Sequence, residues 1–383
     1  MEETNAVLDP WIDSCDCPGS ASRRTFILSL LAAIASACSG PTTSASTKRE
    51  RDLLDEAALS QRISVDLIAH VGPFARNFPF PESARDRPAV LAHMQAGKLD
   101  GAVFSLVTDG PLIRRDPKSG GTRQYRDPEP GELFRDAQSR FEKAKSQIEG
   151  MIALSPSEVV ALKKKGMPCA ILSHEGADAL EGNLSRVQLF YGWGLRVLQL
   201  VHYRINELGD IQTEPPKHRG LTSFGRDVLK EMNRLGMIID VAHAHAETVR
   251  GVLTESRHPV IDSHTRPAAR FQASRARSDA ELHAVAQKGG VIGMWPLARA
   301  DRGETFEDFV RDIDYVKALV GADHVGIGTD LNGTRTSTVI PTHKEFALIP
   351  AGLLARGYAA SEVAKIVGGN FMRVFREVAG NRG

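Results

Sequence analysis

The chain has 383 residues, with 48 Lys and Arg against 47 Asp and Glu for a formal net charge of +1. Hydrophobic residues make up 42% and charged residues 25%, with 34 Gly and 20 Pro, which excludes a largely disordered or collagen-like chain. A charge this close to zero gives no support for nucleic acid as a partner, and four Cys are too few for a disulfide scaffold.

The chain opens with an address. Residues 1–22 are polar and lead into Arg23-Arg24-Thr25-Phe26. A mostly apolar run, 26–37, follows and ends Ala35-Ser36-Ala37-Cys38. A charged region, an apolar core and a small-residue cleavage site form the order of a secretory signal, and the paired Arg resembles a twin-arginine export signal. As a helix this run would span about 18 Å, short of the roughly 30 Å apolar core of a bilayer. Cys38 stands where a lipid-modified Cys would stand after cleavage, although Ala35 occupies the position where Leu is usual. The expected organisation is a signal peptide over 1–37, a linker over 38–59 and a functional domain over 60–383. The protein would be exported, either periplasmic or held at the membrane as a lipoprotein through Cys38. Cys15 and Cys17 would leave with the signal, and Cys169, in an apolar stretch, cannot form an internal disulfide alone.

Eight short runs rich in Val, Ile and Leu alternate with helical patterns. They are 64–69, 101–106, 169–173, 196–201, 237–242, 259–263, 290–295 and 323–329. Between them, 221–236 has Thr222 or Ser223 as an N-cap and Gly236 just past its end, with Phe224, Val228, Met232 and Leu235 on one face. The segment 306–320 repeats Phe306, Phe309, Ile313 and Val316 in the same way. This alternation predicts an α/β fold, a (β/α)8 TIM-type barrel. No Gly-rich phosphate fingerprint follows the first run, which disfavours a doubly wound dinucleotide-binding sheet. Two long insertions, 109–131 and 203–220, read as lids or binding loops.

Active sites of such barrels lie where the strands end. The first run ends at His70, the third at Glu175, the fourth at His202, the fifth at His243, the sixth at His264 and the eighth at Asp330. Imidazoles and carboxylates together suit Zn²⁺ or a similar divalent ion, and a carboxylate can bridge two ions. The remaining eight of the 12 His (His93, His174, His218, His245, His258, His283, His324, His343) show no such placement and read as structural or solvated. His174 and His245 neighbour candidates but point to the other side if the strands alternate.

The runs with their flanks resemble the membrane (renal-type) dipeptidase family, metal-dependent barrel peptidases of the amidohydrolase type. The matching stretches include Ser173-His174-Glu175-Gly176, Gly194 to His202, Gly220-Leu221-Thr222-Ser223-Phe224-Gly225, Leu235 to His243, Pro259 to His264 and His324 to Asp330. Near the C-terminus, Ile366-Val367-Gly368-Gly369-Asn370-Phe371 fits as well. The resemblance implies hydrolysis of dipeptides by metal-activated water, with one or two ions, Zn²⁺ the expected one. Glu175 would bridge two metals, His70 would serve the first, and His243 and His264 would complete the second. His202 would contact the substrate or the tetrahedral intermediate. Asp330 would act at the metal-bound water as base and later acid. An Arg after the sixth strand would bind the substrate carboxylate through a bidentate fork; Arg277 is the first choice, and the spacing from His264 also allows Arg275. Family members are often dimers, so a homodimer is expected.

One departure stands out. The family opens its first strand end with Asp-x-His-x-Asp or a His-x-His variant, whereas this chain has Asp66-Leu67-Ile68-Ala69-His70-Val71-Gly72. If Asp66 sets the register, Ile68 replaces the first metal His; if His70 is the first His, Gly72 replaces the second ligand. Either way one ligand is missing, and affinity for the first metal should fall. Two alternatives therefore stand beside the dipeptidase: a related exported amidohydrolase acting on another small amide, or a catalytically impaired binding protein.

Overall fold

The computed structural model describes residues 62–74, 87–118, 120–299, 302–333 and 338–380. The chain divides into two units, Met1–Leu54 and Asp55–Gly383, and all described residues belong to the second. The expected export signal, Cys38 and the linker lie outside the described residues.

Each apolar run overlaps a strand: β1 (Val65–Ala69), β2 (Gly101–Val107), β3 (Cys169–Glu175), β4 (Leu195–Gln199), β5 (Ile238–Asp240), β6 (Ile261–Pro267), β7 (Val291–Met294) and β8 (Val325–Ile327). They pair in parallel, in chain order from β1 to β8. Just beyond β8, Leu331 bridges to Ala69, the His70 N–H donates to the Leu331 carbonyl at 2.8 Å, and the Asp330 N–H donates to the Ile68 carbonyl at 3.0 Å. These contacts join the last strand to the first and close the (β/α)8 barrel. The helix expected over 221–236 spans Ser223–Leu235; the Thr222 hydroxyl caps it by accepting the Gly225 N–H, and Gly236 ends it at φ 77°. The helix Phe306–Val320 matches its expected bounds. The insertion 109–131 folds in part as a hairpin, Ile113–Arg115 against Thr122–Gln124.

The core separates the two ends of the barrel. The C-terminal helix Asn370–Ala379 packs Phe371, Met372, Phe375 and Val378 against Val65, Cys169, Ile238, Ile261 and Val291, each the first residue of its strand. This helix therefore plugs the amino end with apolar side chains and leaves the carboxyl end for polar ones. Its approach needs Gly368, where an added Cβ would lie 2.5 Å from the Ile63 carbonyl oxygen and 2.6 Å from the Val65 nitrogen. Asn370 then anchors it, its amide donating to the Ala322 and Val325 carbonyls at 2.7 and 2.8 Å.

Two strands carry a register irregularity near the carboxyl end, one in β1 between Asp66 and Ala69 and one in β6 between Asp262 and Thr265. In each, one residue more than on the partner strand is accommodated, and such a bulge re-aims the side chains beside it. His70 follows the first and His264 lies within the second.

Candidate active site

The closed ring brings all six strand-end candidates together, because parallel strands deliver their carboxyl ends to one rim. Glu175 ends β3 and is 2% exposed. Its two oxygens face different partners. Oε2 lies 3.3 Å from His70 Nε2 and 3.3 Å from His202 Nε2. Oε1 lies 3.3 Å from His243 Nε2 and 3.7 Å from His264 Nε2. Asp330 Oδ1 lies 3.4 Å from His70 Nε2. Two compact ligand groups result, Glu175–His243–His264 and His70–Glu175–Asp330, each with its ligand atoms within 4.8 Å of one another. His243 and Asp330 hold left-handed backbone, at φ 65° and 52°, a conformation that costs non-glycine residues energy and that clusters at functional sites.

Ring orientation is fixed from behind. His70 Nδ1 pairs with the Ser105 carbonyl at 2.8 Å, His264 Nδ1 with the Ser263 hydroxyl at 2.9 Å, and His202 Nδ1 with Asp109 Oδ1 at 2.7 Å. Such partners select the tautomer and aim the other nitrogen.

The electrostatics fit a cation. Burial and the nearby Arg275 guanidinium hold the His243 pKa well below the ordinary imidazole range, and burial lowers that of His264 to about 4. Burial would raise the Glu175 pKa, but the imidazoles of His202 and His70 hold it well below the usual carboxylate range. Burial likewise opposes charge on His70, yet the carboxylates of Glu175 and Asp330 overcome it and raise its pKa to about 9. Neutral His243 and His264 beside an ionised Glu175 are in the states that ligate a metal. His243 Nε2 and His264 Nε2 face each other at 3.0 Å. His70 Nε2 and Asp330 Oδ1 are buried atoms without a hydrogen-bond partner among the described residues. A shared divalent ion would satisfy these converging groups.

The two Arg candidates separate. Arg277, the first choice from the sequence, is 1% exposed and engaged on every side: Nε donates to Asp262 Oδ2 at 2.8 Å, Nη1 to the Ala244 carbonyl at 2.6 Å and Glu281 Oε1 at 3.0 Å, and Nη2 to the Val241 carbonyl at 2.7 Å. Arg275 instead reaches the site: Nη2 lies 3.0 Å from His264 Nε2, and Nη1 donates to Gln212 from the 203–220 insertion. Trp295 stands beside it, its ring centroid 5.7 Å from the guanidinium carbon and 5.5 Å from the His264 ring.

Several neighbours were not singled out from the sequence. Asp109 begins the first insertion, two residues past β2, and its acidic side chain at a strand end was the available signal. Gln212 carried none. His343, expected to be structural or solvated, is buried and pairs with Asp66. His174 does point away from the site, its ring packed on Phe190 and Phe141 at 4.9 and 5.4 Å.

The family profile described as Membrane dipeptidase (Peptidase family M19) matches residues 89–382, beginning after β1. The dipeptidase tcpJ of Claviceps purpurea is 31% identical over 239 residues, covering 59% of this chain and 55% of that protein; the chain thus spans little more than half the length of such curated relatives. Among solved structures, the probable dipeptidase PvdM from Pseudomonas aeruginosa superposes with a TM-score of 0.70 at 22% identity, covering 86% of this chain and 99% of its own. A metallo peptidase from Rhodobacter sphaeroides, solved with a phosphinate mimic of the dipeptide L-Ala-D-Ala, gives 0.66 at 20% identity, covering 82% and 99%. At these identities the two structures speak for the barrel alone.

Proposed function

The chain belongs to the membrane dipeptidase family, peptidase family M19, and from that premise we propose that it is a metal-dependent dipeptidase. The observation that carries the proposal is the division of Glu175, one oxygen toward His243 and His264 and the other toward His70. Glu175, His243 and His264 would hold one divalent cation, Zn²⁺ by donor type, and His70, Glu175 and Asp330 a second. Bound there, the cation supplies Lewis-acid polarisation of a peptide carbonyl and a water acidified toward neutrality.

The chain's own residues do the rest. Asp330 takes the proton of the attacking water and returns it to the leaving amine as the C–N bond breaks. His202, aimed by Asp109, presents Nε2 beside Glu175 and contacts the substrate. We place the substrate carboxylate on Arg275 rather than Arg277, since every Arg277 nitrogen is already bonded and Arg275 borders the ligand groups. The cation of the His70–Glu175–Asp330 group would be the weaker one, because Ile68 brings no donor to it. Export rests on Arg23-Arg24, the apolar run 26–37 and the small residues before Cys38, which would also be the point of lipid attachment.

The test is metal content of the purified protein together with turnover on a panel of dipeptides. Two metals per chain with turnover is the expected outcome. One metal and no turnover on any dipeptide would overturn the assignment and favour another small amide as substrate.

A further inference from the structure

His343 lies outside the barrel strands, in the short helix His343–Ala347. It is 2% exposed, and its partners Asp66 and Thr329 are 0% and 1% exposed. His343 Nε2 donates to Asp66 Oδ2 at 2.9 Å. The same carboxylate accepts the Thr329 N–H at 2.8 Å and the Thr329 hydroxyl. Thr329 immediately precedes Asp330, and its hydroxyl oxygen accepts the Leu331 N–H at 3.3 Å. Further along, Asp330 N–H donates to the Ile68 carbonyl and His70 N–H to the Leu331 carbonyl. Residues 66–70 and 329–331 are therefore clamped along their whole length. Asp66 forms one end of the clamp, and the facing pair His70 Nε2 and Asp330 Oδ1, 3.4 Å apart, forms the other.

A buried carboxylate is costly unless its oxygens are satisfied. Asp66 takes its donors from the Ile68 N–H at 3.4 Å, from Thr329 and from His343, which comes from 277 residues away. The fold makes room for that donor. An added Cβ at Gly97 would lie 1.8 Å from the His343 carbonyl oxygen, so the end of the helix Arg87–Ala96 admits the His343 backbone only as glycine.

We infer that His343 is a positioning residue for the His70–Glu175–Asp330 group, holding Asp66 so that Thr329 sets the place of Asp330 against His70. Glu175 meets this clamp through His70 alone, and among the described residues neither His243 nor His264 bonds to Asp66, Thr329 or His343. The inference uses the proposed metal centre for its consequence, and the clamp itself is read from protein hydrogen bonds alone.

The experiment compares the full-length wild type with His343→Phe, which keeps a ring and removes the donor, and with His343→Gln, which can still donate. Zn²⁺ titration resolved by equivalent is the first readout. A partner bonded directly to a ligand is worth about 10–100-fold in metal affinity; His343 acts through Asp66 and Thr329, so a loss at the low end, about 10-fold, is expected in His343→Phe for one equivalent only, with partial recovery in His343→Gln. The second readout is backbone amide exchange, expected to quicken at His70 and Asp330 while the rest of the barrel is unchanged. A folded His343→Phe protein with both equivalents and both amides at wild-type values overturns the inference. If His343→Phe does not fold, Thr329→Val removes the hydroxyl donor and must show the same selective loss, or the inference fails. A wild type that takes up no metal defeats the metal-centre reading instead, and the amide exchange then decides the role of His343.

Discussion

The Asp109 carboxylate holds His202 by two contacts at once: Oδ1 accepts from the His202 ring Nδ1 at 2.7 Å, and Oδ2 accepts from the Tyr203 backbone N–H at 3.0 Å. The ring and the chain that carries it are thus fixed by one side chain, which is itself 0% exposed. Asp109→Asn keeps the size but can offer an N–H to Nδ1, inverting the tautomer and placing a proton on the nitrogen that faces Glu175. Partners of this kind are worth about 10–100-fold in activity, so a kcat loss of that size is expected with the melting temperature little changed. Wild-type kinetics from a folded Asp109→Asn protein would remove His202 orientation from the account.

Glu175 is the one side chain common to both ligand groups. Glu175→Gln removes the carboxylate charge that faces His70 and would serve both proposed cations, and it leaves only one oxygen. Loss of both metal equivalents is expected in elemental analysis after dialysis. Retention of one equivalent at wild-type affinity would mean that the carboxylate does not serve both groups.

The six strand-end residues were legible because the rule they obey is topological. Eight alternations force a parallel barrel, and a parallel barrel puts every strand end on one rim. What escaped depended on contacts between segments remote in sequence. Asp109 meets His202 across 93 residues and Asp66 meets His343 across 277, and no local periodicity encodes either pair. Arg275 and Arg277 are two residues apart, so strand alternation gives them the same side. Only the position of Asp262 and the carbonyls of Val241 and Ala244 decides which guanidinium is consumed. Strand lengths were also coarse: the run 323–329 contains a strand of only Val325–Ile327, its first residues forming a helical turn.

That division of labour between the two Arg residues makes opposite phenotypes. Arg275→Ala should raise KM for dipeptides with a free C-terminal carboxylate while leaving unfolding free energy nearly intact. Arg277→Ala strands Asp262 in the core, and breaking a buried pair costs about 3–5 kcal/mol, to be read by urea denaturation. A stable Arg277→Ala enzyme with a raised KM would return the carboxylate to Arg277.

Gly333 owes its place to crowding around Asp330. An added Cβ would lie 1.8 Å from Asp330 Oδ1 and 2.6 Å from His70 Cδ2, so the side chains of one ligand group occupy the space. In Gly333→Ala, Asp330 must move, and misplacement by about 1 Å can cost on the order of 100-fold in rate. The expected protein is folded, with wild-type circular dichroism and kcat reduced on that scale. An active Gly333→Ala enzyme would show that Asp330 has room elsewhere.

Asp240, at the end of β5, should give the protein a distinct dependence on pH. Its carboxyl is buried, and although Oδ1 accepts from the Ala242 and Ser263 N–H groups at 3.0 Å each, burial raises its pKa to about 7 from an ordinary 3.8. The folded state therefore holds a proton that the unfolded state has already released between those two values. Its contribution is fully present below the unfolded value, falls as pH rises toward 7, and is constant at its minimum above that. At about 1.4 kcal/mol per pH unit, the loss reaches at most about 4 kcal/mol. Asp240→Asn keeps the accepting oxygen and cannot ionise. In chelator-treated protein, urea unfolding of the variant and the wild type should coincide near pH 4 and separate steadily up to pH 7, with the variant the more stable. Taking the difference cancels the titration of the histidines common to both. A difference that is flat across this range would mean that Asp240 is already ionised in the folded protein at acid pH, its two N–H donors outweighing its burial.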